Sequence, residues 1–270
     1  MKYQLLDSGD GEKLEQFGEF SLIRPCPQAV WKPLLKEEWK KAAARFTREK
    51  EKNHWTYAQK LPKEWTCMHG GVLFKIAPTD FGHLGMFPEH ADLWEGVRPI
   101  LTKTSKVLNL FAYSGGASIA AAQQGAQVCH LDASKGMVDW ARENADMNRL
   151  QSIRWIVDDA LKFLKREKKR GSLYDGIILD PPTFGRGSQG EVFKIEKDIV
   201  PLIEHCAEVL SEKPLFVLFS CHTPGFTPLG MRHLLGQTLP KGNLEAGEMA
   251  LHSPGALAIP SGSFAKWTPL

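Results

Sequence analysis

Three apolar runs in this 270-residue sequence end in acidic residues, and those ends carry its strongest chemical signal. The clearest is Ile177-Ile178-Leu179-Asp180-Pro181-Pro182-Thr183-Phe184. Prolines lack an N–H donor and fix φ, so a central strand must stop at Asp180. Val128-Cys129-His130-Leu131 ends in Asp132-Ala133-Ser134, and Trp155-Ile156-Val157 ends in Asp158-Asp159-Ala160. Carboxylates at the carboxyl ends of neighbouring strands face the crevice where open α/β sheets bind ligands. Asp132 suits acceptance from ribose hydroxyls, and an acid beside Ala160 suits acceptance from an adenine amino group. Each also suits the capping of the helix that follows, although Ser134 can cap its own helix without Asp132. A fourth run, Leu215-Phe216-Val217-Leu218-Phe219-Ser220-Cys221-His222, adds a thiol at a strand end. A thiolate there is a candidate nucleophile, with His222 placed to lower its pKa; a structural cysteine is the competing reading.

The elements that position these residues begin at Lys106. From there apolar runs alternate with helical segments, the signature of a parallel doubly wound sheet. Strands are predicted at 107–111, 127–132, 153–157, 174–180 and 214–220. Helices are predicted near 115–124, 134–148, 160–169, 193–211 and 228–237. The first strand runs through Asn109-Leu110-Phe111-Ala112-Tyr113-Ser114-Gly115-Gly116 into a helix of small residues. Such a turn brings backbone close to a ligand and points helix N–H groups at it. It is not a GxGxxG: Phe111 and Tyr113 stand where a dinucleotide fold needs glycine, which disfavours a nicotinamide-dependent oxidoreductase.

Residues 1–100 lack the βαβ rhythm and form an accessory region, leaving 101–270 as the catalytic domain. Glu19–Ile23 reads as a short strand. Trp65–His69 and Val72–Ile76 flank Gly70-Gly71 and read as a hairpin, because a two-residue turn needs positive φ. Trp31, Leu35, Trp39, Ala43 and Phe46 recur at three- and four-residue steps and predict an amphipathic helix with a basic outer face between Lys32 and Lys52. That face is either solvated or contacts phosphates.

Charged residues make up 24% and hydrophobic residues 43%, as in globular chains, and the net charge of +3 is too mild to imply a nucleic-acid partner alone. No apolar run approaches the roughly 20 residues of a membrane span, and no apolar leader precedes the first strand, so a cytoplasmic location is expected. Five cysteines without a CxxC pair argue against a disulfide framework, and the histidines show no metal-ligand spacing, so no metal is expected.

Taken together, Asn109–Gly116, Asp132, Asp158-Asp159-Ala160 and Asp180-Pro181-Pro182-Thr183-Phe184 resemble the class I S-adenosylmethionine (SAM) dependent ribosomal-RNA methyltransferases, in the branch related to the large-subunit cytosine-C5 and guanine-N7 enzymes. The similarity reaches upstream to Phe81–His90. It implies a Rossmann-like α/β sheet with helices on both faces and an antiparallel last strand, preceded by the small hairpin-plus-helix region. It further implies SAM as cofactor, held by Asn109, Phe111, Ala112, Tyr113, Ser114, Gly115, Asp132, Ala133, Asp158, Asp159, Ala160, Asp180 and Pro181. Phe87 and Glu89 are implied cofactor contacts in a segment that closes over SAM. The first 60 residues do not resemble the RNA-binding module of some relatives. The resemblance implies an RNA substrate, most plausibly ribosomal, with Asp180 holding the base edge. Pro182, Phe184 and Arg186 are placed on the substrate side, the last in a flexible Gly-rich loop. Carbon 5 of cytosine is a poor nucleophile and needs a thiolate on carbon 6, so Cys221 makes cytosine C5 the favoured acceptor. A guanine or adenine nitrogen is the alternative, as is a small molecule or protein; a scaffold that has lost catalysis is disfavoured by the intact Asp180 motif and Cys221. The oligomeric state is not legible.

Overall fold

The computed structural model describes residues 1–48, 53–187 and 190–270. The chain divides into two units: Met1–Glu89 with Ala250–Ser261, and His90–Met249 with Gly262–Leu270. The division falls at residue 89 rather than near 100, and a segment close to the C-terminus joins the first unit.

In the first unit, β1 (Tyr3–Gly9), β2 (Glu12–Phe17), β3 (Phe20–Pro25), β4 (Ala44–Arg48) and β5 (Asn53–Tyr57) form one sheet in that order. Asp10 (φ 51°) and Gly11 (φ 80°) turn β1 into β2, the positive-φ pair that matches the twist of a tight hairpin. The predicted hairpin is present as β6 (Trp65–His69) and β7 (Val72–Ile76), with Gly70 and Gly71 at φ 49° and 69°.

The predicted basic helix is not. Among the described residues of that stretch only α1 (Lys36–Trp39) is helical, and the chain then enters strand β4. The buried Asp7 carboxylate accepts from Leu34 N, Leu35 N and Trp39 Nε1, so a tertiary contact takes the backbone donors that open the segment. Ala44 and Phe46 are buried and alternate with Arg45, which is a strand period. The basic face is also largely neutralised: Lys40 pairs with Glu37, Lys41 with Glu38 and Arg45 with Glu12. The rest of that stretch, 49–52, lies outside the described residues.

The second unit begins with α2 (Ala91–Val97) and then alternates: β8 (Lys106–Leu110), α3 (Gly116–Gln123), β9 (Gln127–Asp132), α4 (Lys135–Met147), β10 (Ile153–Val157), α5 (Ala160–Arg170), β11 (Gly176–Leu179). After β11 come β12 (Phe184–Arg186), β13 (Val192–Lys194), α6 (Ile195–Glu208), β14 (Phe216–Cys221), α7 (Pro228–Thr238), β15 (Gly242–Leu251) and β16 (Ile259–Pro269). The sheet order is β10-β9-β8-β11-β14-β16-β15. Strands β10 through β14 pair in parallel and β16 is antiparallel to β14. This is the Rossmann-like arrangement that the motifs imply.

The chain leaves β8 toward β9 and β10, then returns to the opposite side of β8 as β11. That reversal opens a crevice at the carboxyl ends of β8 and β11. Strands β11 and β14 are buried along their whole length, as expected for strands covered on both faces. Helix α6 supplies one cover through Ile195, Ile199, Leu202, Ile203 and Cys206, spaced three and four apart. The basic run of α5 is the outer side of a helix whose Phe163 and Leu164 are buried; Gly171 ends it in the left-handed conformation. Among the described residues no helix is long and apolar enough to cross a membrane.

Candidate active site

Strand β8 ends in a loop that the backbone holds tightly. Phe111 and Tyr113 lie at φ 55° and 48°, a conformation that costs a side-chain-bearing residue roughly 1–2 kcal/mol. Neighbouring groups hold it there: Ala112 N donates to Leu131 O and Tyr113 N to Asp132 Oδ2, both near 3 Å. Asn144 Nδ2 donates to Ser114 O at 2.8 Å. Gly115, at φ 88°, holds a conformation that strains any residue with a side chain, and a Cβ there would lie a tight 3.0 Å from Ala141 Cβ. Helix α3 therefore starts directly against α4.

The expected cofactor residues separate into two groups. Asp132 stands at the crevice, accepting from Tyr113 N and Ser134 N, while Ser134 itself caps α4. A carboxylate has about four acceptor sites, so capacity remains for a diol. Burial pushes the Asp132 pKa up, against the two N–H donors that lower it. Hydroxyl donors would relieve that cost. Asn109, by contrast, is buried and supports the loop from beneath, donating to Ser118 Oγ at 3.0 Å, which in turn meets His130 Nδ1 at 3.0 Å. Burial, with the Arg142 charge, lowers the His130 pKa to about 3, so that ring is neutral.

Asp158 and Asp159 also part. Asp159 Oδ1 accepts from Lys162 N and caps α5, whereas Asp158 accepts from Asp159 N and pairs with Arg166. Asp159 is therefore the capping residue of the pair, and Asp158 does not cap the helix. Ala160 is buried in the first turn of α5, and Ala133 is half-buried after Asp132. Phe87 and Glu89 belong to the first unit, where Phe87 packs edge-on to His83 at 5.5 Å. The donor set of the second unit fits SAM: carboxylates for hydroxyl and amino groups, and a loop from Phe111 to Gly116 with no cation for a phosphate.

Asp180 lies just beyond β11. Ser220 Oγ donates to its Oδ1 at 2.8 Å. His90 Nε2 stands 3.6 Å from Oδ2 and His222 Nε2 3.9 Å from Oδ1, and the two imidazole nitrogens are 3.1 Å apart. Pro181 is buried, whereas Pro182 and Phe184 are exposed, Phe184 by 49%. Of the segment expected as a flexible loop, Gly185 and Arg186 lie in β12, which pairs with β13. The Arg186 guanidinium lies over the Phe184 ring at 5.7 Å, giving a cationic and aromatic edge beside Asp180-Pro181-Pro182. Ser188 and Gln189 of that loop lie outside the described residues.

Cys221 is not aimed at this group. Successive side chains of a strand point to opposite faces. Ser220 faces Asp180, so its neighbour in β14, Cys221, faces away, 1% exposed in the core with Met231 and Leu235. Its Sγ accepts from Thr223 N at 3.4 Å. Burial and the Asp180 charge both push its thiol pKa up. Sequence reasoning missed His90 and Ser220, because their partners stand 90 and 40 positions away.

Residues 44–234 match the family described as S-adenosylmethionine-dependent methyltransferase. The ribosomal RNA large subunit methyltransferase K/L of Colwellia psychrerythraea is 33% identical over 174 residues, 61% of this chain and 23% of that protein. The chain thus spans about a quarter of the length of such relatives. The crystal structure of a SAM-dependent methyltransferase from Agrobacterium tumefaciens superposes with a TM-score of 0.95 at 36% identity, covering 100% of this chain and 91% of that one. A putative SAM-dependent methyltransferase from Streptococcus mutans shares the fold, with a TM-score of 0.78 at 19% identity over 99% of this chain and 75% of that one. With the crevice, its carboxylates and these likenesses in agreement, the chain belongs to the S-adenosylmethionine-dependent methyltransferase family.

Proposed function

We propose that this enzyme methylates a base of RNA, most simply ribosomal RNA in the cytoplasm, and that the acceptor is a purine ring or amino nitrogen. The RNA substrate is supported by the relatives named ribosomal RNA large subunit methyltransferase K/L. When bound, SAM supplies an electrophilic methyl group. A ring nitrogen has an available lone pair and needs alignment alone, whereas an amino nitrogen must also give up a proton, for which the Asp180 carboxylate is the acceptor at hand. Asp180, fixed by Ser220, accepts a hydrogen bond from the base edge; Phe184 offers a face for stacking and Arg186 a phosphate contact. Asp132 holds the ribose of the cofactor, Asp158 its adenine, and the Phe111–Gly115 backbone its amino-acid end.

The observation that carries the nitrogen reading is the direction of Cys221. Attack on carbon 6 of cytosine needs a thiolate facing the base, and this thiol is buried on the opposite face with its pKa raised. The cytosine-C5 reading rests on the Ser220-Cys221 sequence alone. The test is mass spectrometry of ribosomal RNA nucleosides from cells with and without the gene. Loss of a methylated purine is expected. Loss of 5-methylcytidine would move the acceptor to carbon 5, and an unchanged profile would overturn the ribosomal substrate.

A further inference from the structure

We propose that His90, Asp180 and His222 form a site for one borderline divalent transition ion, zinc being the probe of choice. The ligand atoms of these three residues lie within 4.8 Å of one another. A tetrahedral ion with bonds of about 2.0–2.2 Å holds its ligand atoms roughly 3.3–3.5 Å apart. The imidazole nitrogens are 3.1 Å apart, and the carboxylate presents Oδ2 to His90 at 3.6 Å and Oδ1 to His222 at 3.9 Å, so a turn of the carboxylate or of one ring brings a single oxygen to both nitrogens. Two imidazoles and one carboxylate select zinc or another first-row ion over magnesium or calcium, which favour all-oxygen shells.

The arrangement is supported from behind, as metal ligands are. Ser220 Oγ fixes the carboxylate through Oδ1. His222 is seated against Gly262, where a Cβ would come within 3.2 Å of Nδ1 and 2.7 Å of Cys221 O. The side chains keep 16%, 24% and 37% of their exposure, so solvent can fill the fourth position. Three ligands plus an open position describe a reactive or regulated ion rather than a closed structural one. The consequence rests on the reading of Asp180 as the base-holding carboxylate: an ion there occupies the group that the acceptor needs, so it competes with RNA and not with SAM.

Chelator-treated full-length protein, dialysed against zinc and assayed by elemental analysis, is expected to retain one ion per chain. His90→Ala and His222→Ala are each expected to weaken retention by about 100-fold or more, at or beyond the upper end of the loss caused by removing a supporting contact. Melting curves without metal report whether the variants fold. The cobalt-substituted wild type gives an independent reading: an intense visible band and paramagnetically shifted proton signals from two imidazoles. Less than half an ion per chain, unchanged retention in either variant, or cobalt signals without two imidazoles overturns the site. If zinc binds as expected but leaves the KM for RNA unchanged, the metal site stands and the role given to Asp180 falls.

Discussion

Two carboxylates in the second unit make opposite use of their surroundings. Glu167, on α5, has a fully buried side chain and is satisfied on every side: it accepts from Tyr174 Oη at 2.6 Å and from Arg154 and Arg170 at about 3 Å. Among the described residues, Asp180, beyond the carboxyl end of β11, has one short hydrogen bond, from Ser220, and two imidazoles just outside hydrogen-bond reach. Both acids belong to the second unit. The first is closed around its partners and serves the fold; the second is fixed on one side and keeps acceptor capacity for something else. The state of a carboxylate's partners, more than its place in a motif, separates support from chemistry.

The largest effect that breaks this contrast is at Asp180. Asp180→Ala is expected to lower kcat/KM by about 100-fold or more, the size of a lost alignment, with SAM affinity within threefold of wild type. Single-turnover methyl transfer and calorimetry measure the two. A variant equally crippled in SAM binding would make Asp180 a cofactor residue instead.

Glu167→Gln is expected to act on stability alone, by about 2 kcal/mol from the lost charge-assisted bonds, with methyl transfer unchanged at a temperature where both proteins are folded. Burial alone would raise the Glu167 pKa, but the bonds from Tyr174, Arg154 and Arg170 outweigh it and lower it to about 2. A depressed carboxylate contributes its stability above the unfolded value near 4.3 and loses it as pH falls toward the folded value. Wild-type protein should therefore shed this contribution between about pH 4.3 and pH 2. Urea melts of the glutamine variant should lack that part of the slope.

Asp132 lies between the two cases, with two backbone donors satisfied and burial raising its pKa. Asp132→Ala should weaken SAM by roughly 1–3 kcal/mol, since the ribose hydroxyls lose their acceptor. Titration calorimetry measures it; an unchanged Kd would reduce Asp132 to a brace for the Tyr113 loop.

What was legible in the sequence follows the reach of each signal. The parallel sheet is a local pattern repeated five times, and Gly70-Gly71 is a turn whose φ values only glycine adopts cheaply, so both could be read directly. The first sheet was harder, although Asp10-Gly11 carries a hairpin signal of the same kind. The stretch from Trp31 to Phe46 fits a helical period by residue type, but Asp7, more than twenty positions away, captures its backbone donors. The basic face loses its charge to Glu12, Glu37 and Glu38 for a similar non-local reason. Asp158 and Asp159 are indistinguishable in a sequence, and only the hydrogen bond from Lys162 N assigns the cap. His90 joins the site through folding alone.

Cys221 was open to a stricter reading. Ser220 precedes it in β14, and a strand that turns Ser220 toward Asp180 must turn the next residue away. The smallest expected effect tests this. Cys221→Ala should leave kcat/KM within about twofold of wild type, under 0.5 kcal/mol, because the thiol touches no reacting group. It should cost only about 1 kcal/mol of stability, as the truncation of a small core side chain. Thiolate attack on carbon 6 predicts the opposite. Then RNA carrying 5-azacytidine at the target would trap the wild-type enzyme covalently, since nitrogen at position 5 has no proton to release after methyl transfer. The alanine variant would neither trap nor turn over. A trapped adduct would mean that β14 must rotate Sγ out of the core to reach the base, so the nitrogen reading and the two-carboxylate contrast would fall together. No adduct, with an active alanine variant, leaves Asp180 as the group that decides which base is methylated.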